Sequence, residues 1–276
     1  LYLANLFFKR KFTSIIFWHA DTKKSRILDK LIFYFQRKNI ENAKLLIVSN
    51  KLVLQNSEIR TLKNIHTKLE ELPIPISKVN DSSLISHEIQ KLVKNNNQKE
   101  IFFFFGRLVK YKGIEVLLKA LSKINKNKII IIAGEGSFAS KLLKIREEFK
   151  NVIFINRFLN EKEKYFLFEN ATAFLFPSIN QSESLGITQI ESLSLGCPVI
   201  NTSLKTAVPF VSLNNVTGKT IKVDDYEELS IAINKFPSKK SKEWKKLSEN
   251  AKKRYINLFS REKFRNKFLE IMKKIN

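Results

Sequence analysis

Two glutamates flank the start of a predicted helix, in a segment that reads as strand, loop and helix. Glu183 lies in the polar loop, and Glu191 lies in the helix that follows Gly186. Each carboxylate can accept hydrogen bonds from neighbouring hydroxyl groups, and the N–H groups of Leu185, Gly186 and Ile187 have no partner within the helix. The segment therefore suits a hydroxyl-rich or anionic ligand. The alternative is a pair of surface glutamates that the helix dipole favours without any ligand.

Two cations follow a second apolar strand, which is predicted over 101–106. Arg107 comes directly after the strand, and Lys112-Gly113 stands just before a helix. Cations at the carboxyl end of a strand and beside a helix N-terminus can hold a diphosphate. Solvated surface charges remain the alternative for both side chains.

A glycine-rich turn follows the apolar strand predicted over 128–133. Gly134, Gly136 and Ala139 fit the pattern G-x-G-x-x-A, which is typical of dinucleotide-binding turns. That fingerprint also expects an acidic residue at the end of the next strand, where this sequence has Asn156-Arg157. The turn thus predicts either an NAD(P)-dependent oxidoreductase or a tight turn between strand and helix.

The alternation of apolar runs with longer amphipathic segments predicts an α/β protein built from βαβ units on parallel sheets. The predicted strands cover 14–18, 44–49, 101–106, 128–133, 151–155, 173–177 and 198–201. The predicted helices cover 25–39, 114–123, 138–149, 161–169, 187–195, 226–235 and 239–275, the last with a break near Ser260. The stretch 80–100 shows no clear period, so we expect it to be a connection between two units.

The composition narrows the class of protein. The chain has 276 residues, 43% of them hydrophobic and 28% charged, which excludes global disorder and a protein with many membrane spans. Its net charge is +24, and most of the basic residues are Lys, so we expect contact with an anionic membrane surface rather than with nucleic acid.

Three His and one Cys at unrelated spacings predict no metal site. Cys197 is expected to be a buried packing residue in a reducing compartment.

Together these stretches resemble the retaining glycosyltransferases of family 4 (glycosyl transferases group 1), which have the GT-B fold. The matching motifs follow one another over 101–225: Gly106-Arg107-Leu108, Lys112-Gly113, Gly134-Glu135-Gly136, Phe176-Pro177-Ser178, Glu183 to Glu191, Gly196-Cys197-Pro198-Val199-Ile200 and Thr217-Gly218. Nearer the front, Trp18-His19-Ala20-Asp21 is similar to the W-H-S-D segment of that family. Asn156 departs from the pattern, since the family often has Gly there.

The resemblance implies two Rossmann-like doubly wound domains, the N-terminal one incomplete. Residues 1–98 would form the partial acceptor-side domain, joined by a C-terminal helix over 257–276, and 99–256 would form the donor-binding domain. The family's first strand and Gly-rich loop are absent, and the sequence starts at Leu1, so we expect an N-terminally truncated chain.

The resemblance also implies a role for each candidate residue. Arg107 and Lys112 would neutralise the donor diphosphate. Glu183 would hold the donor sugar, helped by the amides of Leu185, Gly186 and Ile187. Glu191 would bind the ribose, His19 would reach the donor sugar from the other domain, and the remaining substrate-binding candidates are Gly134, Gly136, Arg157 and Phe158.

The implied reaction transfers a hexosyl group, such as mannosyl, from a nucleotide-diphosphate sugar to a glycan or lipid-linked acceptor. No cofactor and no protein nucleophile is needed, and we expect cytoplasmic localisation at the inner face of the membrane. Three alternatives remain: an NAD(P)-dependent Rossmann oxidoreductase, a nucleic-acid-binding module that uses the positive charge, and a catalytically incompetent fragment that still binds the nucleotide sugar.

Overall fold

Two separate parallel sheets organise the chain in the computed structural model, which describes residues 14–19, 26–54, 57–76 and 84–274. The strands are β1 Ile15–Trp18, β2 Leu45–Val48, β3 Leu69–Glu71, β4 Glu100–Phe105, β5 Lys128–Ala133, β6 Val152–Ile155, β7 Ala173–Phe176, β8 Val199–Thr202 and β9 Gly218–Ile221. The α-helices are α1 Arg26–Asn42, α2 His87–Asn95, α3 Ile114–Ala120, α4 Ala139–Glu148, α5 Glu161–Asn170, α6 Ile187–Ser194, α7 Val208–Val211, α8 Tyr226–Asn234, α9 Lys242–Leu258 and α10 Arg261–Lys273.

The second sheet has six strands in the order β6-β5-β4-β7-β8-β9, and every neighbouring pair is parallel. From β4 the sheet extends through β5 to β6 on one side, and from β7 it extends through β8 to β9 on the other side. The switch point of the topology therefore lies between the neighbouring strands β4 and β7. In a doubly wound sheet, ligands bind outside the carboxyl ends of the strands at this switch point. Phe105 and Phe176 end the two strands, and the loops that follow them carry the candidate site residues.

Both faces of the six-stranded sheet are buried, as expected for parallel strands covered by helices. Side chains alternate between two hydrophobic clusters: Phe103 and Ile131 lie on one face, while Phe102 and Ile130 lie on the other. This explains why the strands appear in the sequence as continuous apolar runs.

The first sheet has three parallel strands in the order β1-β2-β3. The last helix, α10, returns to this sheet, and its Ile271 is fully buried in a cluster with Leu45, Ile47 and Leu72. The break predicted near Ser260 is confirmed, since the Ser260 hydroxyl caps α10 by accepting from the N–H of Lys263 at 3.2 Å.

The structure contains elements that the sequence did not predict. The stretch 80–100 is not only a connection, because α2 lies within it and buries Ile89 and Val93 on one side. The first sheet has a third strand, β3, whose Leu-Glu-Glu sequence gives no apolar run. Strand β9 also escaped prediction, because Gly218 and Lys219 occupy half of it.

None of the helices in these described ranges is long and apolar enough to cross a membrane.

Candidate functional site

A cleft of about 650 Å³ lies between the two sheets, where the loops after their strands face each other. The first sheet and the segment after β3 contribute Phe17, His19, Ile47, Ser49, Leu72, Ile74 and Pro75. The second sheet contributes Lys112, Glu183, Ser184, Leu185, Gly186, Ile187 and Thr188, and α10 adds Phe264. Six of the candidate residues therefore share one cavity.

Close packing of two loops brings Lys112 into the cleft. The loop after β4 forms a 3₁₀ turn over Lys110–Lys112, and Gly113 follows it with a φ of 73°. A Cβ on Gly113 would lie 1.8 Å from the carbonyl oxygen of Pro177, so only glycine fits beside the loop after β7. The two loops are also hydrogen-bonded, since Ile179 N–H donates to the Tyr111 carbonyl at 2.9 Å.

Lys112 and Glu183 form an ion pair at the floor of the cleft. Their side chains are 17% and 12% exposed, and the Ser178 hydroxyl donates to the same carboxylate oxygen at 3.3 Å. The Lys112 ammonium also lies 5.3 Å from the centres of the Tyr111 and Phe176 rings. The cleft thus presents a cation for an anionic group beside a carboxylate that can accept from hydroxyl groups.

The N-terminus of α6 opens into the same cleft. Gly186 precedes the helix with a φ of 77°, Leu185 is buried, and Ile187 is half-exposed. Helix geometry leaves the first N–H groups without intrahelical acceptors, so they can donate to a ligand oxygen. The Gln189 amide is fully buried and donates to the Leu185 carbonyl at 3.2 Å. This hydrogen bond holds the loop that precedes α6 against the helix.

His19 lines the cleft from the first sheet, just after β1, and its side chain is exposed. The neighbouring Trp18 is buried in the core of that sheet and anchors the position. Ala20 and Asp21, which complete the segment similar to W-H-S-D, lie outside the described residues. His19 therefore lines the same cleft as the Lys112–Glu183 pair, but from the first sheet.

Arg107 is exposed and does not line the cavity. Its guanidinium donates to the Tyr111 hydroxyl and lies 5.4 Å from the centre of the same ring. Because Tyr111 directly precedes Lys112, the Arg107 cation is attached to the loop that forms the floor of the cleft.

Glu191 lies one turn further along α6, behind the cleft rather than in its lining. Its Oε1 accepts from Lys164 Nζ at 2.9 Å, and its Oε2 is buried with no hydrogen-bond partner in the described part of the chain. Burial raises the pKa of the Glu191 carboxyl, and the Lys164 charge and hydrogen bond oppose that shift.

Gly134 and Gly136 have a packing role that accounts for their residue type. Their φ angles are 139° and 152°, and added Cβ atoms would lie 2.0 Å from the Gly106 carbonyl oxygen and 2.4 Å from the Leu108 carbonyl oxygen. The loop after β5 thus packs backbone to backbone on the loop after β4, and Leu108 N–H donates to the Glu135 carbonyl at 2.7 Å. The turn stabilises the loop that carries Arg107 and Lys112.

Arg157 forms a bidentate salt bridge with a neighbouring glutamate. Both of its terminal nitrogens donate to Glu163, at 2.7 and 2.8 Å, and one of them lies 3.4 Å from the Ser86 hydroxyl. The guanidinium of Arg157 lowers the pKa of Glu163 to about 2, against the effect of burial. Phe158, by contrast, is 53% exposed beside it.

Several cleft residues were not among the site candidates chosen from the sequence. Phe17, Ser49, Leu72 and Phe264 line the cavity. Phe17 and Ser49 lie at the carboxyl ends of apolar strands, and that position could have indicated them. Lys164 also escaped prediction, because one buried Lys is indistinguishable by sequence from the many exposed ones.

Cys197 is buried, as the sequence predicted. Burial raises the pKa of its thiol to about 11, so it is protonated at neutral pH and not nucleophilic. In the ranges that the structure covers, no cluster of three or more His, Cys, Asp or Glu side chains could hold a metal ion.

Comparison with known proteins identifies one family. Residues 86–254 match the sequence profile of the family described as glycosyl transferases group 1. The O-antigen chain mannosyltransferase C of Escherichia coli is 25% identical over 252 residues, which cover 90% of this chain and 65% of that protein. The D-rhamnosyltransferase WbpZ of Pseudomonas aeruginosa is 21% identical over 249 residues, which cover 90% of this chain and 64% of that protein. The chain thus spans about two thirds of the length of these relatives.

Solved structures share the arrangement of the two sheets. A glycosyltransferase from Rickettsia africae superposes with a TM-score of 0.72 at 19% identity, over 95% of this chain and 70% of that one. Anabaena Alr3699/HepE in complex with UDP superposes with a TM-score of 0.74 at 16% identity, over 99% of this chain and 75% of that one. The predicted GT-B fold, with Rossmann-like parallel sheets, is confirmed.

Proposed function

Because the chain belongs to the glycosyl transferases group 1, we propose that it acts as a retaining glycosyltransferase of family 4. The reaction moves a hexosyl group, such as mannosyl, from a nucleotide-diphosphate sugar to a polysaccharide or lipid-linked glycan acceptor. The observation that carries the proposal is the cleft that the Lys112–Glu183 pair, the N-terminus of α6 and His19 line together. The similarity to an O-antigen mannosyltransferase supports the class of acceptor.

The donor diphosphate would lie over Lys112, with Arg107 as the second cation. The departing diphosphate gains negative charge in the transition state, and a fixed cation in a partly buried cleft stabilises that charge more than water does. The backbone that carries Lys112 is fixed by its loop packing, so only the side chain has to exchange Glu183 for the donor phosphate.

The donor sugar would lie between Glu183 and His19. Glu183 accepts from sugar hydroxyls, the amides of Leu185, Gly186 and Ile187 donate to sugar or phosphate oxygens, and His19 contacts the sugar from the first sheet. In this scheme the acceptor attacks the face from which the diphosphate departs, and the diphosphate takes the proton. The anomeric configuration is retained, and no protein nucleophile or cofactor takes part.

The nucleoside would extend away from the cleft along α6. Glu191 would bind the ribose, while the backbone of Arg157 and the exposed Phe158 ring would contact the base. Gly134 and Gly136 would support the phosphate-binding loop. In this proposal residues 1–98 and 257–276 belong to the acceptor-side domain, and 99–256 form the donor domain.

A net charge of +24 favours peripheral contact with the anionic inner face of a membrane, where lipid-linked acceptors are found. The proposal therefore places the protein in the cytoplasm at the membrane surface.

Isothermal titration of the 276-residue chain with UDP, GDP, their hexose conjugates, NAD⁺ and NADP⁺ tests the proposal. We expect binding of one nucleoside diphosphate and its sugar, and no binding of either dinucleotide. Single-stranded DNA is a control for nonspecific attraction to the positive charge, and its binding should fall steeply as salt is raised. Binding of NAD⁺ or NADP⁺ alone, or of no nucleotide at all, would overturn the donor site.

A further inference from the structure

A buried lysine holds one oxygen of the Glu191 carboxylate and leaves the other free. Lys164 Nζ lies 2.9 Å from Glu191 Oε1 and 2.7 Å from Glu161 Oε1, and the side chains of Lys164 and Glu191 are 5% and 12% exposed. Glu191 Oε2 is buried and has no hydrogen-bond partner among the described residues. A buried carboxylate oxygen without a donor is costly, so its presence calls for an explanation.

The position of Lys164 is fixed from several directions. Its ammonium lies 5.3 Å from the Tyr165 ring centre and 5.7 Å from the Phe105 ring centre. Phe105 is the last residue of β4, so the ammonium lies at the carboxyl edge of the sheet, where ligands of this fold bind. Lys164 therefore constrains the orientation of Glu191 at the ligand-binding edge.

We propose that Lys164 is a positioning residue for nucleotide binding: it holds Oε1 of Glu191 and so leaves Oε2 available to accept from a ribose hydroxyl. This inference rests on the proposed function, in which Glu191 binds the ribose. A ribose hydroxyl would supply the donor that Oε2 lacks, while Lys164 continues to occupy Oε1.

The groups around Glu191 shift its pKa in opposite directions, and Lys164 favours the carboxylate. Burial raises the pKa of Glu191, Lys164 lowers it by charge and hydrogen bond, and Glu161 raises it further. Tyr165 is the other titratable group of α5 that interacts with Glu191, and the raised pKa of Tyr165, about 12, keeps it neutral. On the α9 side, Ser248 and Lys252 contact Gly196, beyond the C-terminal end of α6. Without Lys164 the pKa of Glu191 would be higher still, so at a given pH more of the carboxyl would be protonated and unable to accept at that oxygen.

Titrations of UDP and of GDP from pH 5.5 to 8.5 test the inference with four proteins: wild type, Lys164→Met, Lys164→Arg and Lys162→Met. Lys164→Met should weaken nucleotide binding about tenfold at neutral pH, because a charge-assisted hydrogen bond no longer orders the acceptor. The loss should grow as the pH falls, whereas Lys164→Arg should restore most of the affinity and its pH profile. Lys162→Met removes an exposed charge from the same helix and should change nothing.

Glu191→Gln separates positioning from general support of the fold. If Lys164 acts through Glu191, adding Lys164→Met to Glu191→Gln should cause no further loss of nucleotide binding. Thermal melts without nucleotide report folding, and Lys164→Gln replaces the Met variant if that variant unfolds.

The outcomes distinguish the inference from the function on which it rests. Wild-type protein that binds neither UDP nor GDP would overturn both. Wild-type binding that Lys164→Met leaves unchanged at every pH, or an equal loss in the Glu191→Gln background, would overturn the role of Lys164 alone.

Discussion

Lys112 and Glu183, 71 residues apart in the chain, form an ion pair at the floor of the cleft between the two sheets. Lys112 follows β4 and Glu183 follows β7, so the pair bridges the switch point of the six-stranded sheet. A ligand that brings its own anion would compete with Glu183 for the Lys112 ammonium. It would also release the carboxylate to accept from hydroxyl groups.

The two members of this pair should therefore have separable effects on donor binding. Lys112→Met should weaken nucleoside diphosphate binding about 10–100-fold, because charge-assisted hydrogen bonds to the phosphates are lost. Glu183→Gln should not weaken nucleoside diphosphate binding, since it frees Lys112, but it should remove most of the extra affinity for the nucleotide sugar. Isothermal titration measures both, and the exposed Lys110→Met is the matched control. Equal losses in the two variants would contradict the assignment.

His19 should matter for the sugar and not for the nucleotide, because it lines the cleft from the first sheet. His19→Ala is expected to keep nucleoside diphosphate affinity within about twofold and to lower nucleotide-sugar affinity about tenfold. The exposed His66→Ala, in the same half of the chain, should leave both unchanged. Weaker binding of the free diphosphate by His19→Ala would show that the histidine contacts a different part of the donor.

Gly186 should be intolerant of any side chain. Its φ of 77° is strained for other residues, and an added Cβ would lie 2.6 Å from the Phe176 ring and 2.7 Å from the Gln189 amide nitrogen. Gly186→Ala should lower the free energy of unfolding by about 1–3 kcal/mol. Urea denaturation measures the loss, and Gln181→Ala, at an exposed position in the loop before the helix, is the control that should cost little.

Glu163 should contribute stability that depends on pH. Arg157 lowers the pKa of Glu163 from 4.5 to about 2 in the folded chain. The stabilisation is therefore complete above about pH 4.5 and is lost as the pH falls towards 2. Arg157 is 37% exposed, so solvent screening limits the gain, and Glu163→Gln should cost about 1–2 kcal/mol at pH 7. Urea denaturation should show this difference vanish near pH 2, whereas the exposed Glu169→Gln should show no such trend.

The second sheet was largely predictable from the sequence because its strands are buried on both faces. Runs such as those of β4 and β5 contain only apolar residues after the first position, so periodicity and length identify them. Strands β3 and β9 were missed because each is short and half polar, and pairing with a neighbour defines them. Helix α2 was missed because only Ile89 and Val93 mark its buried face.

The site was predictable where a motif lies at a strand end, and not where long-range packing creates a contact. Lys112, Glu183 and Gly186 all follow strands at the switch point, so their convergence follows from topology. The pairing of Lys164 with Glu191 and of Arg157 with Glu163 depends on how α5 packs. No local pattern in the sequence indicates that packing.

Asn201 joins β8 to the loop of α6 through a fully buried polar network. Its amide nitrogen donates to Gln189 Oε1 at 2.9 Å and to the carbonyls of Val208 and Ser212 at 3.1 Å. Its oxygen accepts from the Thr220 hydroxyl at 2.8 Å. Asn201→Asp would place a carboxylate against these three acceptors, which should cost about 3 kcal/mol of unfolding free energy at pH 7.

The sign of the pH dependence follows from the same contacts. Only the protonated acid can donate to one of the acceptors, so the folded state should raise the pKa of the new carboxyl. The unfolded chain loses its proton near pH 4, at about the ordinary value for Asp, so the destabilisation should grow as the pH rises above that value. Urea denaturation between pH 4 and 8 measures the trend, with the exposed Asn127→Asp as the control. Because Gln189 also holds the Leu185 carbonyl, nucleotide-sugar affinity should fall together with stability in Asn201→Asp. Unchanged affinity in a destabilised protein would show that the network supports the core without orienting the loop at the cleft.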